Sequence, residues 1–293
     1  MSDSHTSFAD RLASRIDSVG APLCVGLDPV AERLPSDCWM AGAEPHDAIA
    51  RFDAAVIEAV APVAAAVKFQ AACYERCGAE GWAALAAGAR LARSAGLVTI
   101  LDGKRGDIGI SAAHYAASAR HTLGVDAVTA NCYLGPSAIT PFLDEGLGVF
   151  CLVRTSNPDS DALQSQWLGS GVTVAEHVAG MVRDLGRGHV GERGLSDVGA
   201  VVGATKTSGG EAERLRAAMP HQIVLVPGIG AQGGRIEDLK PLVRSGGRSP
   251  GDLGVLATAS RSVIYAGAED GTWPAGVAEE ARRLAKELEK LHG

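Results

Sequence analysis

Lys68, Asp102, Lys104 and Asp107 are the residues whose types and spacing could do chemistry together. Lys68 ends the apolar run Ala64-Ala65-Ala66-Val67. A lysine there is costly unless it is paired or wet, although one at a strand edge can also snorkel to water. Asp102 and Lys104 stand two apart in Leu101-Asp102-Gly103-Lys104-Arg105-Gly106-Asp107, a spacing that puts both side chains on one side of a strand. Asp107 follows beyond a glycine-containing turn. An aspartate and a lysine set side by side hold each other charged. Joined by Lys68, and by Asp107 if it reaches, they form an alternating array that can be stable where isolated buried charges would not be. An ammonium fixed in such an array can stabilise negative charge on a substrate atom and then deliver a proton to it. The same four residues would also serve as a plain salt-bridge cluster.

Charges so spaced need a scaffold that brings distant segments to one place. Eight short apolar segments predict strands: Leu23–Leu27, Ala66–Phe69, Val98–Leu101, Ala127–Ala130, Val149–Val153, Val198–Gly203, Ile223–Val226 and Val255–Ala257. Between them lie stretches of helical period, among them Asp47–Val60, Trp82–Ala95, Ser111–Leu123, Val174–Leu185 and Glu211–Ala218. A helix over Ser7–Val19 and another over Pro274–Leu291 would cap or flank them. Strands buried on both faces read as apolar runs rather than alternations. Eight alternating units point to one α/β domain over residues 1–293, a closed (β/α)8 TIM barrel with flanking terminal helices. A doubly wound open sheet is the competing fold. It would favour Gly-x-Gly-x-x-Gly after its first strand, where this chain has Gly26-Leu27-Asp28-Pro29. Residues 157–171, 186–196 and 245–252 are rich in Gly, Ser and Asp and read as loops.

In such a barrel the active site gathers at the C-terminal ends of the strands. Asp28 ends the first strand, Gln70 follows the second, Asn131 ends the fourth and Arg154-Thr155-Ser156-Asn157 the fifth. The seventh strand ends in Pro227-Gly228-Ile229-Gly230-Ala231-Gln232-Gly233-Gly234 and the eighth in Ser260-Arg261. Loops after strands seven and eight often hold phosphate in barrels. Gly233 and Gly234 would let backbone N–H groups approach the oxygens, Gln232 would donate through its amide, and Arg261 would fork onto the dianion. A bare Pro-Gly-x-Gly can equally mark a turn.

The composition narrows the class. Hydrophobic residues make up 46% and charged residues 21%, enough for a sizeable core, while aromatics are only 4%, so that core is aliphatic. The net charge of −7 argues against a nucleic-acid partner or an anionic membrane surface, which would need clustered Lys and Arg. Cys24, Cys38, Cys73, Cys77, Cys132 and Cys151 form no Cys-x-x-Cys pair and no zinc-like spacing. They read as reduced thiols of a cytoplasmic protein, with no metal site. The polar first ten residues lack an apolar signal core, and no uncharged apolar run is long enough to span a bilayer.

Asp102-Gly103-Lys104-Arg105-Gly106-Asp107-Ile108 resembles the Asp-x-Lys-x-x-Asp-Ile signature of the orotidine 5'-phosphate decarboxylase family, and Pro227 to Gly234 resembles that family's phosphate loop. The resemblance covers nearly the whole chain, Asp28 to Arg261, and is nearest the longer bacterial subfamily, as in actinobacteria. It implies cofactor-free conversion of orotidine 5'-phosphate to UMP, in the synthesis of pyrimidine nucleotides, by a homodimer with shared active sites. Asp28 would bind ribose hydroxyls, and Lys68 would touch the ribose and orient Asp102. Asp102 would sit beside the substrate carboxylate, and Lys104 would protonate C6. Asp107 would reach the partner subunit's site, with Ser111 contacting the ribose there. Ser156 would hydrogen-bond the pyrimidine, while Gln232 and Arg261 would hold the phosphate. Gly103 and Arg105-Gly106 replace bulkier residues of the commoner short form, and the regions after strands five and six are extended.

Two other readings remain. A sugar-phosphate decarboxylase of the same barrel group, such as one acting on 3-keto-L-gulonate 6-phosphate, uses Mg²⁺ and carries an acid at the end of strand two. Lys68 stands there instead, and a cation repels a metal. A non-catalytic nucleotide-phosphate sensor would keep the phosphate loop but could dispense with the charged array.

Overall fold

The computed structural model describes residues 6–206, 210–229 and 234–292. A first helix, α1 (Phe8–Val19), precedes β1 (Leu23–Leu27). Then come α2 (Pro45–Val60), β2 (Ala66–Gln70), α3 (Ala71–Glu75), α4 (Gly78–Ser94), β3 (Val98–Arg105) and α5 (Gly109–Ala117). The middle of the chain forms β4 (Ala127–Ala130), α6 (Thr140–Asp144), β5 (Gly148–Arg154), α7 (Asp161–Gln164), α8 (Val174–Gly186) and β6 (Ser196–Val202). The last third forms α9 (Glu211–Ala218), β7 (Gln222–Pro227), β8 (Val255–Ala259), α10 (Arg261–Ile264) and α11 (Ala275–Leu288). The eight strands pair in chain order, all parallel, and β8 returns to β1, which closes the barrel. No helix among the described residues is long and apolar enough to cross a membrane.

The expected (β/α)8 barrel is therefore the fold, and each of the eight predicted strands overlaps an observed one. Helix α2 shows why the pattern was readable. Its buried residues Ala48, Ile49, Phe52, Val56, Ile57 and Val60 recur at helical spacing and form the stripe that meets the barrel. Glu44 and Asp47 make a capping box at its start, and Pro45 occupies the first turn, where a missing N–H costs nothing.

The two terminal helices do different things. α1 plugs the N-terminal end of the barrel. Phe8, Leu12 and Ile16 pack with Ile100, Phe150, Ile223 and Leu256 in one buried cluster. The Phe8 and Phe150 rings meet edge to face at 5.8 Å, and burying a side chain of that size contributes roughly 1.5–3 kcal/mol. α11 lies outside, buries Val277, Ala281 and Leu284, and makes contacts with α2. Just before it, Trp273 stacks on Phe52 at 5.5 Å. The bottom is thus sealed, and the strands' C-terminal ends are left to form the open mouth.

Two expectations need correction. β3 runs four residues past Leu101, through the charged signature to Arg105. Residues 157–171 are not all loop, because Asp161–Gln164 coil into the single turn α7. Each was missed because polar residues hid the element's continuation.

Candidate active site

At the C-terminal mouth lies a cavity of about 400 Å³, within the size range of small-molecule sites. Its wall is chemically divided. Asp28, Lys68, Asp102 and Lys104 from β1–β3 line one part, and the apolar Leu152, Val201 and Leu225 from β5–β7 line another. A flat polar ring with one anionic edge would suit such a division.

The charged wall is built around Asp102, which is 7% exposed. Lys68 Nζ donates to its Oδ2 at 2.6 Å and Lys104 Nζ to its Oδ1 at 2.6 Å. Register explains the first contact, since Gln70 faces Asp102 across β2 and β3 and Lys68 stands two residues earlier on the same side. Asp28 Oδ1 lies 4.0 Å from Lys68 Nζ. That oxygen is buried and has no hydrogen-bond partner among the described residues, which leaves an acceptor for a ligand hydroxyl. Burial alone would pull the Lys68 ammonium down, but the Asp102 and Asp28 carboxylates outweigh it and hold its pKa above the ordinary value. Burial alone would likewise push Asp102 up. Lys68 and Lys104 outweigh it and hold the carboxyl below its ordinary range.

Lys104 reaches Asp102 by a route that simple alternation does not describe. The register between β3 and β4 shifts between Leu101 and Arg105, and Lys104 has φ of 47°, in the left-handed region. A non-glycine residue there is strained, and such strain collects at functional sites. Thr129 on β4, 2% exposed, compensates for it. Its Oγ1 accepts from the Lys104 backbone N–H at 3.0 Å and donates to Asp102 Oδ1 at 2.8 Å. One hydroxyl thus fixes both the kink and the carboxylate. A threonine inside Ala127-Val128-Thr129-Ala130 gave no sign of this in the sequence, because it looks like any β-branched strand residue.

Other predicted residues divide into groups. Ser156 and Arg261 line the cavity with the array. Arg261 opens α10 and makes no ion pair among the described residues. Gly234 is not among the lining residues. Its N–H donates to the Gly228 carbonyl at 3.0 Å, and a Cβ there would come within 2.6 Å of that oxygen, so the chain can close on itself only through glycine. Gln232 and Gly233 fall outside the described residues. Asp107 and Ser111 do not join the array of their own chain. Neither lines the cavity, and Asp107 Oδ1 accepts from the Ile108 N–H at 2.8 Å.

Thr155 and Asn157, read from the sequence as part of the polar end of the fifth strand, complete the cavity wall beside Ser156 together with Gln164, which sequence reading passed over. Gln164 comes from α7, in the stretch read as loop. Gly26 is required for another reason: a Cβ on it would fall 2.0 Å from Ser260 Oγ, so β1 and β8 can meet beside Asp28 only without a side chain there. Among the described residues, no group of three or more His, Cys, Asp and Glu is placed to hold a metal ion.

Comparison with known proteins agrees with this fold. The family described as orotidine 5'-phosphate decarboxylase / HUMPS matches residues 21–269. The orotidine 5'-phosphate decarboxylase of Deinococcus radiodurans is 41% identical over 285 residues, 94% of each chain. That of Roseiflexus castenholzii is 42% identical over 268 residues, 91% of this chain and 90% of the relative. Among solved structures, the OMP decarboxylase of Leishmania donovani superposes with a TM-score of 0.79 at 33% identity, covering 98% of both chains. With most of its length matched by the family and relatives above 40% identity over nine-tenths of both chains, this chain belongs to the orotidine 5'-phosphate decarboxylase / HUMPS family.

Proposed function

We propose that this chain decarboxylates orotidine 5'-phosphate to UMP, the closing step of pyrimidine nucleotide synthesis, through the array Lys68–Asp102–Lys104. The observation that carries the reading is the pair of 2.6 Å contacts that hold two ammoniums on one buried carboxylate at the cavity wall. When the C6–carboxylate bond breaks, CO₂ departs and the electron pair remains on C6, a ring carbon with no conventional electron sink. Lys104 Nζ supplies fixed positive charge there and then gives C6 its proton. Asp102 holds both lysines in place, and its charge beside the substrate carboxylate opposes the ground state more than the transition state. Asp28 takes ribose hydroxyls, Ser156 meets the pyrimidine, and Arg261 grips the phosphate. Binding energy from that remote phosphate offsets the cost of bringing two carboxylates together.

The family description spans more than one group of enzymes, so the choice of reaction rests on the site. A sugar-phosphate decarboxylase using Mg²⁺ needs a carboxylate at the end of β2. Here an ammonium stands at residue 68, pinned to Asp102. The deciding experiment mixes the protein with orotidine 5'-phosphate and follows ultraviolet absorbance. A steady fall in a chelator-treated sample supports the assignment. Activity that vanishes with chelator and returns with Mg²⁺ would refute it.

The finer points belong to the same proposal. The chain acts as one barrel domain and, with long segments between β5 and β6, as a member of the longer bacterial form. It works in the cytoplasm, which fits six free thiols. It pairs with a second copy, to which Asp107 and Ser111 contribute. Support for pairing comes from Ile108 and Ile110, 60% and 75% exposed on either side of that loop's glycine, and from Tyr133, 81% exposed.

A further inference from the structure

The short helix α7 lies in the long segment after β5, which the mechanism above leaves without work. It is tied down from below. Arg154, whose side chain is only 4% exposed, donates to Asp161 at 2.5 Å, to Ser160 Oγ at 2.9 Å and to Glu211 at 3.1 Å. Lys206, beyond β6, donates to Asp161 at 2.9 Å and to the Pro158 carbonyl at 3.1 Å. A buried guanidinium needs such partners, and here Asp161 of α7 and Ser160 just before it supply two of them.

The product of this anchoring is the position of Gln164. Its Oε1 accepts from the Thr155 backbone N–H at 2.8 Å, and its Nε2 donates to Thr155 Oγ1 at 2.8 Å. Thr155 Oγ1 in turn donates to Asn157 Oδ1 at 2.7 Å. The turn that carries Ser156 is therefore satisfied on both flanks. The Ser156 hydroxyl itself makes no hydrogen bond among the described residues, and Ser156 lines the cavity. On its other side Gly203 follows β6, and a Cβ there would come within 2.8 Å of Ser156 Cβ. Ser156 is thus held between a glycine that admits it and an amide that fixes its neighbour.

We propose that Gln164 is a positioning residue for recognition of the base: it sets the Thr155–Ser156 turn so that the one free hydroxyl faces the pyrimidine. The role rests on the functional reading above, in which Ser156 meets the base. It also gives the segment after β5 its purpose, since a bare loop would not hold an amide in place with two hydrogen bonds.

The test separates base from phosphate. Dissociation constants for UMP and for ribose 5-phosphate are measured on the wild type, on Gln164→Leu, on Thr155→Val and on the double variant, with Tm recorded for each. Loss of a positioned polar contact is expected to weaken UMP about tenfold in Gln164→Leu while ribose 5-phosphate changes less than about twofold. KM is expected to rise with UMP dissociation. The double variant should lose little more than Gln164→Leu alone, because the bond from Gln164 Nε2 to Thr155 Oγ1 is lost in both single changes. Equal weakening of both ligands, unchanged UMP binding, or additive losses would each overturn the proposal while leaving the decarboxylase reading intact. A wild type that binds UMP no tighter than ribose 5-phosphate would overturn both.

Discussion

Asp102→Asn removes one charge and keeps the shape, so it tests the array directly. In the wild type the carboxylate accepts from Lys68, Lys104 and Thr129. The asparagine leaves two ammoniums without their shared anion. For Lys68, whose side chain is 7% exposed, that amounts to breaking a buried pair, about 3–5 kcal/mol. Asp28, 4.0 Å away, recovers part of it. Lys104 is 47% exposed and adds at most about 1 kcal/mol after screening by water. The expected loss is about 3–4 kcal/mol at neutral pH. A chain of 293 residues unfolds with an entropy of about 0.6 kcal/mol per kelvin, so Tm should fall by about 5–6 °C.

The pH dependence carries the sign. Asp102 has a depressed folded pKa, so its contribution is present above about pH 4 and is lost as pH falls through the folded value. Lys68 has a raised folded pKa, so its contribution is present below about pH 10 and is lost as pH climbs through the folded value. The variant's deficit should therefore stay level from about pH 4 to 7. At alkaline pH it should shrink, because Lys68, no longer held by Asp102, can shed its proton in the variant first. Turnover should drop by about 10²–10³, the usual consequence of removing a preorganised electrostatic partner. Thermal melts between pH 4 and 10 and steady-state rates check both. A variant as stable as the wild type throughout, or a deficit that widens at alkaline pH, would show that the three side chains do not act as one charged unit.

The other predictions concern the same wall and one group behind it. Lys104→Ala should abolish turnover while UMP binding survives, measured by calorimetry, and retained turnover would remove Lys104 as proton donor. Mixing that variant with Asp107→Ala should restore about a quarter of wild-type activity, because half of randomly paired dimers carry one site with neither lesion. Thr129→Val should lower kcat by about tenfold or more with little change in KM, and Thr129→Ser should restore it, since Thr129 meets the Lys104 backbone and Asp102 through its hydroxyl. Asp53, fully buried in α2 with Tyr74 as its hydrogen-bond partner, has its carboxyl pushed up to about 8 by burial. It should cost stability at about 1.4 kcal/mol per pH unit as pH rises from about 4 to 8. Asp53→Asn should flatten that slope in thermal melts.

The fold was legible because each apolar strand declared itself by a run of buried residues and each barrel-facing helix by its spacing. The charged array was legible for a related reason: Lys68 and Asp102 sit in strands too apolar to hold them unless they meet. What stayed hidden has no one-dimensional signal. Thr129 is an ordinary β-branched residue until β4 lies beside a kinked β3. Gln164 stands in a polar stretch whose single helical turn is held by tertiary contacts from Arg154 and Lys206. The kink at Lys104 belongs to this hidden group as well. The spacing of Asp102 and Lys104 suggested the right contact through regular alternation, whereas the chain makes it through a left-handed residue and a register shift.

That difference matters for how the site works. A lysine on a regular strand could relax along the strand if its partner moved. Here the Lys104 backbone is held by a hydrogen bond to the same hydroxyl that holds Asp102, so carboxylate, ammonium and kink share one support. The arrangement favours preorganised charge at the point where the carbanion forms, with little reorganisation left for the reaction itself. It follows that losses at Thr129 and Asp102 should not add: removing the hydroxyl from a chain that already lacks the carboxylate should change kcat little further. Independent, additive losses would mean that Thr129 supports β4 alone and that the strained backbone at Lys104 has another cause.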